Sequence, residues 1–242
     1  MSALALILTG QALRAGSLNG AILSPCTADT LSTYIDGPNT GCALGVLVST
    51  SWGLTVDAGA KLNSGQIFVS PSTSQNGLGG SFSFSAANGF SFGVGQGQTA
   101  GYFINYSYFI DPGPILEGAE LTLDPGNVTI TQFFCNDLNL VSPGPSPSCA
   151  SVNRELSLSV PPQTLTVTTA NPNASIVFRP PALQFGSIET EIALDGTNGP
   201  ANFDRITSSL VVIDSAPEPA TCVLALAGLL VLAVRRKVPF RR

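Results

Sequence analysis

Carboxylates are the only numerous reactive side chains in this 242-residue sequence. Four of them, Glu117, Glu120, Glu189 and Glu191, could supply an acid and its partner for glycoside hydrolysis, provided that a fold held two of them a set distance apart across a cleft. Glu189 and Glu191 stand two apart, so on a strand they share a face and, most simply, both meet solvent. Calcium suits these residues better than catalysis. Hard oxygen ligands from Glu189, Glu191, Asp195 and Asn198 could converge at a strand end, although no D-x-D-x-D-G loop is present. The chain has no histidine, which removes the commonest general base, the usual catalytic triads and most zinc sites. The stretch Gly93-Val-Gly-Gln-Gly97 lacks the Lys-Ser/Thr ending of a phosphate loop and no amphipathic helix follows it, so it reads as a connection between strands. Gln75-Asn-Gly-Leu-Gly-Gly80 reads the same way. No catalytic residue, metal site or cofactor is assigned, and an enzyme is not expected.

Aromatic and sulfur chemistry remain. Tyr102, Tyr106 and Tyr108 share parity, and such a stripe could stack on sugars. Phe103 and Phe109 fall on the other face, so packing in the core or at its rim is the stronger reading. Of five cysteines, Cys26 with Cys42 and Cys135 with Cys149 form two pairs close in sequence, and Cys222 stands apart. Four cysteines in an oxidising compartment allow three connectivities, and the local one is favoured because each pair closes a short loop rich in Pro, Gly and Ser. Loops of this size are worth about 3 kcal/mol each in the chain-entropy model. A four-thiolate metal site would want C-x-x-C spacing, which is absent. The sequons at Asn105, Asn127 and Asn173 are read as chance composition.

The elements that must position these groups are strands. Charged residues make up 10% of the chain, while turn formers and β-branched residues are abundant, which favours an all-β fold over solvated helices. Alternation predicts strands at 43–50, 53–58, 65–70, 80–85, 89–94, 101–110, 116–123, 127–134, 153–159, 163–169, 174–179, 187–194 and 206–213. Their spacing suits one β-sandwich, Ig-like or jelly-roll-like, over residues 16–215. Same-parity pairs mark the expected core: Phe82 and Phe84, Phe90 and Phe92, Leu121 and Leu123, Val128 and Ile130, Leu165 and Val167, Ile176 and Phe178. Asp124-Pro-Gly-Asn127 and Asp195-Gly-Thr-Asn-Gly199 carry tight-turn chemistry. One short helix is expected between Thr27, as its cap, and Gly37-Pro38, as its stop.

Charge divides the chain. Between Gly16 and Ser215 four basic residues face fourteen acidic ones, a charge near −10, whereas from Ala216 on Glu218 faces five basic residues. A body so acidic is a poor partner for nucleic acid, which demands clustered Lys and Arg. At the N-terminus, Ala3–Leu8 and the run to Ala15 read as the apolar core and cleavage end of a partial signal peptide, residues 1–15. The basic leader that should precede it is missing, so the alternatives are a start upstream of Met1 or an apolar strand. At the C-terminus, Pro217-Glu218-Pro219 precedes an apolar run over 220–234 that stops at Arg235-Arg236-Lys237. As a helix this run reaches only about 22 Å against a hydrocarbon core of about 30 Å, which suits a temporary anchor. The positive-inside rule puts 235–242 in the cytoplasm and the body outside.

These three features, in this order, resemble the PEP-CTERM sorting domain. The resemblance implies recognition by an exosortase-type processing enzyme, transient residence in the inner membrane, cleavage near Pro217–Pro219, and release or transfer of the body. Such signals are typical of Gram-negative bacteria that make exopolysaccharide. Leu31-Ser-Thr-Tyr-Ile35 followed by Thr40-Gly-Cys42 likewise resembles the start of many PEP-CTERM bodies of unassigned function. The expectation is an exported, non-enzymatic protein of the cell surface or exopolysaccharide matrix, with an extracellular carbohydrate-binding module as the alternative.

Overall fold

Alternation of Phe82 and Phe84 with Ser81, Ser83 and Ser85 is what a strand with one buried face requires. The computed structural model realises it: both phenylalanines are buried and the serines lie on the outer side. The structure describes residues 17–18, 21–75, 77–110, 114–124, 126–136, 139–140, 143–145, 147–150, 161–182 and 185–214. Expected segments 1–15, 153–159 and 216–242 lie outside them, and so does the transmembrane run over 220–234. Among the described residues no helix is long and apolar enough to cross a membrane.

Among the described residues twelve strands build two sheets: β1 (Asp29–Thr30), β2 (Gly41–Leu44), β3 (Leu47–Val56), β4 (Ile67–Thr73), β5 (Gly80–Ala86), β6 (Thr99–Ile110), β7 (Pro114–Leu123), β8 (Thr129–Asn136), β9 (Gln163–Thr168), β10 (Asn173–Ala182), β11 (Phe185–Asp195) and β12 (Arg205–Asp214). Sheet I has the order β10-β7-β12-β5-β4-β1 and sheet II the order β9-β8-β11-β6-β3-β2. All pairings within them are antiparallel. From β5 onward the first strand pairs with the last, the second with the second-last and so inward to β8 with β9. A long hairpin has rolled into two layers, the jelly-roll arrangement. The fold is an all-β sandwich, as the spacing of turns predicts.

The core is aromatic at one end. Trp52 stacks on Tyr106 with ring centroids 4.4 Å apart and meets Phe82 edge-on at 5.0 Å. Tyr34 closes the cluster 4.8 Å from Trp52. Burial of each such ring is worth about 1.5–3 kcal/mol, so this cluster is a principal tie between the layers.

Three local expectations are corrected. The helix spans only Leu31–Ile35 and its N-cap position is Thr30, not Thr27. The preceding residues are drawn into β1, and the carbonyl of Thr27 instead accepts a hydrogen bond from the Tyr34 hydroxyl at 2.7 Å. The expected strands 43–50 and 53–58 are redrawn as a hairpin, β2 and β3, turned at Gly45 with φ of 67°. Ser51 at φ of 55° interrupts the β3–β6 register and sends Trp52 inward. The expected strand 89–94 shrinks to Phe92–Val94, paired with Ala201–Phe203. Phe90 therefore leaves the core and is half exposed, while Phe92 is buried against Phe203.

Both local disulfides are present, Cys26–Cys42 and Cys135–Cys149. The first ties the chain ahead of the helix to β2, where Cys26 N–H donates to the Ala43 carbonyl at 2.9 Å. The second closes a loop beyond β8 whose far arm, Cys149–Ala150, pairs with Asn139–Leu140.

Candidate functional site

On β11, Ile188, Thr190, Ile192 and Leu194 point into the core, so Ser187, Glu189 and Glu191 belong to the outer face of sheet II. The expectation that Glu189 and Glu191 face solvent together holds poorly. Glu189 is 0% exposed; Gly144, within the stretch closed by Cys135–Cys149, lies against it and its N–H donates to both carboxylate oxygens, at 2.9 and 3.1 Å. Burial pushes its acid up to about 7, against the pull of the Gly144 hydrogen bond and with a further upward push from Glu191. Burial also raises the Glu191 acid. Across the ladder Glu189 sits beside Phe133 and Asn105, and Glu191 beside Thr131 and Phe103.

Residues two apart on a strand are separated by about 7 Å, so the spacing of Glu189 and Glu191 falls within the range for a hydrolytic pair. Access does not: a carboxylate that is 0% exposed and bound by the Gly144 amide faces no open cleft. Glu120 and Glu117 belong to β7 of the other sheet. The calcium set is dispersed as well. Asp195 lies six residues, about 20 Å, along β11 from Glu189, and its carboxylate is taken by the Thr197 N–H and hydroxyl, which hold its pKa below the ordinary value. No group of three Asp, Glu, Cys or His side chains suited to a metal occurs among the described residues.

The tyrosine stripe shares one face, as parity predicts, and that face is the core. Tyr102, Tyr106 and Tyr108 are each at most 1% exposed. Tyr102 accepts hydrogen bonds from the Lys61 and Leu62 amides at 2.9 and 3.2 Å. Tyr108 fits because Gly186 stands opposite; a Cβ there would lie 2.3 Å from the tyrosine oxygen. Their burial counts against a sugar platform on β6. A residue not singled out from the sequence, Gln132, shares the parity of Val128 and Ile130 and so enters the core. Its amide donates to Thr190 at 3.0 Å in its own sheet and to Ser208 at 2.7 Å in the facing one.

The reachable chemistry is on the outer face of sheet I. There Ser72, Ser81, Ser209, Glu120 and Ser175 stand opposite one another across five strands. A shallow groove of about 250 Å³ opens over this row, with Val211 in its lining beside Ser72, Ser81, Ser209 and Glu120. The next row, Ser70, Ser83, Thr207 and Thr122, runs parallel to it.

β12 ends at Asp214, and directly after it residues 215–237 match the family model described as the PEP-CTERM protein-sorting motif. The chain carries a PEP-CTERM sorting motif. The match takes in Pro217, Glu218, Pro219, Arg235, Arg236 and Lys237, and it marks an exported protein sorted by way of the membrane through an exosortase-type enzyme. The PEP-CTERM match does not extend into the sandwich, and no curated protein sequence matches the chain. Among solved structures, the enzymatically active domain of tailspike protein 4 of bacteriophage CBA120 is similar at 12% identity and a TM-score of 0.31, over 68% of this chain and 19% of that one. The family 11 carbohydrate-binding module of Clostridium thermocellum, in complex with a β-1,3-1,4-mixed-linked tetrasaccharide, is similar at 12% identity and a TM-score of 0.28, over 69% and 90%. The same family of module from the cellulosomal cellulase Lic26A-Cel5E gives 10% identity and 0.26, over 68% and 88%. At these values the similarities carry no argument about what the PEP-CTERM body binds.

Proposed function

We propose that this is a non-enzymatic protein of the cell surface or extracellular matrix, built as a sandwich body over 16–215 with a sorting tail over 216–242. The partial signal peptide, residues 1–15, starts export. The helix over 220–234 holds the chain in the inner membrane, Arg235, Arg236 and Lys237 stop its transfer, and an exosortase-type enzyme cuts near Pro217–Pro219. The body then passes to the cell surface or to exopolysaccharide. One observation carries this reading: the sorting motif begins at residue 215, immediately after the last sandwich strand ends at Asp214. Cleavage there would free the body without cutting a strand. An acidic body and a basic tail support the same division.

The test is intact mass and fractionation of the chain in a native-type host with and without its sorting enzyme. The expected result is loss of the tail's mass only when the enzyme is present, and loss of membrane retention when Pro217 to Arg242 are deleted. An unprocessed chain that stays in the membrane in both hosts would make the protein a plain anchored ectodomain. The second reading, an extracellular carbohydrate-binding module, draws support from the hydroxyl-lined groove on sheet I and none from β6.

A further inference from the structure

Two neighbouring rows of hydroxyls on sheet I differ in what they do. In one, Ser83 and Thr207 satisfy each other at 2.8 Å. In the other, among the described residues, the side chains of Ser72, Ser81, Ser209 and Glu120 form no hydrogen bond, and this is the row beneath the groove. Strands are spaced about 4.8 Å apart, so the row from Ser72 to Ser175 presents polar groups at that interval over about 19 Å. The same groove offers Val211 as an apolar surface, and Val177, 60% exposed, lies beyond it on β10.

A ligand matched to this face must donate and accept hydrogen bonds repeatedly at one short interval, and must also present apolar patches. Serine hydroxyls do both jobs, while the Glu120 carboxylate only accepts. A pyranose ring has this character, with hydroxyls around its rim and C–H groups on its faces, and its length along a glycan is close to one inter-strand spacing. Charge narrows the class. Among the described side chains of this face Arg205 is already paired with Asp124 and Glu120 has no cation beside it, in a body that is acidic, so a polyanionic glycan would be repelled. The lining also lacks the aromatic, Met and Arg anchors of a protein interface.

The geometry points to a binding site for an uncharged polysaccharide laid across sheet I along Ser72, Ser81, Ser209 and Glu120, with sugar faces on Val211. This rests on the reading of the body as a partner of extracellular polysaccharide and names the class and the place of that contact.

The experiment is affinity electrophoresis of the full chain in detergent, through gels holding a neutral β-linked glucan, an acidic polyuronate or no polymer. The expected result is retardation by the neutral glucan alone, weakened about tenfold in S81V/S209V, which removes two neutral hydrogen-bonding groups from the row. Valine keeps the strand propensity of the site, and an unchanged melting temperature shows that the variant folds. T131V/T166V, on the other sheet, should be retarded like the wild type. Retardation by the glucan that survives S81V/S209V would overturn the site and leave the polysaccharide reading standing. Retardation by the polyuronate alone would overturn the assignment to neutral glycans. No retardation by either polymer would defeat this inference; membrane processing, tested separately by intact mass, would still decide the reading of the tail.

Discussion

The two outer faces of the sandwich start from the same pattern and end in opposite states. On sheet I a row of outward serine hydroxyls, with Glu120 and Val211, lies open to a groove. On sheet II the outward Glu189 is sealed under a loop held by Cys135–Cys149, with its carboxylate bound by a backbone amide. Strand alternation sorts inside from outside but does not say whether an outside position is wet. That is decided by chain from elsewhere, here a loop arriving from β8 forty-five residues before Glu189.

The largest effect should come from removing the cover. C135A/C149A should cost about 3 kcal/mol by loop-closure entropy, read by urea unfolding, and should let water reach Glu189 so that its acid returns toward the ordinary carboxylate range. C26A/C42A, at the β2 edge, should cost a similar amount and leave Glu189 unmoved. A carbon-detected NMR titration of the Glu189 carboxyl in both variants separates them. Identical titration in the two would mean that the disulfide-closed loop is not what buries the acid.

Next in size is the pH dependence of stability. The Glu189 pKa is raised from 4.5 to about 7 in the folded protein, so the folded state holds the proton more tightly than the unfolded one. The stability that this contributes is complete below about pH 4.5, falls as pH rises through 7 and is gone above it. A shift of this size corresponds to roughly 3 kcal/mol. Wild type should lose about that much relative to E189Q between pH 4.5 and 8, because the amide has no proton to lose. Parallel stability curves for the two proteins would show that Glu189 is neither desolvated nor coupled to folding as described.

The same contrast explains which features could be read before the structure. Parity placed Phe82, Phe84, Leu121, Ile130 and Val167 correctly, because each sits inside a regular strand, where the period of two is strict. Parity failed at Phe90, where the strand begins two residues later at Phe92. At the tyrosines both the shared face and its packing in the core were legible, because Phe103 and Phe109 occupy the other face; the rings that cover Tyr106, Trp52 and Phe82, come from other strands and were not. The disulfides were legible because their loops are short. Glu189 was not, since its cover is contributed by residues far from it in sequence, and no local pattern around β11 carries that information. The sorting tail was the most legible of all, being a linear signal that needs no fold to be recognised.

The smallest effect tests the quiet row of sheet I. Ser83 and Thr207 satisfy each other at 2.8 Å, so S83A removes one hydroxyl of a partly buried pair and should cost about 0.5–1 kcal/mol. S81A, one step along the same strand, should stay within about 0.5 kcal/mol of wild type, because it removes a hydroxyl that bonds nothing in the protein. Thermal unfolding of the two alanine variants side by side distinguishes these outcomes. Equal costs would erase the difference between the rows and, with it, the reason for placing a ligand over one of them. A measurable cost at Ser83 with none at Ser81 would mean that the groove row adds little to folding stability, which leaves its hydroxyls free to contact a ligand.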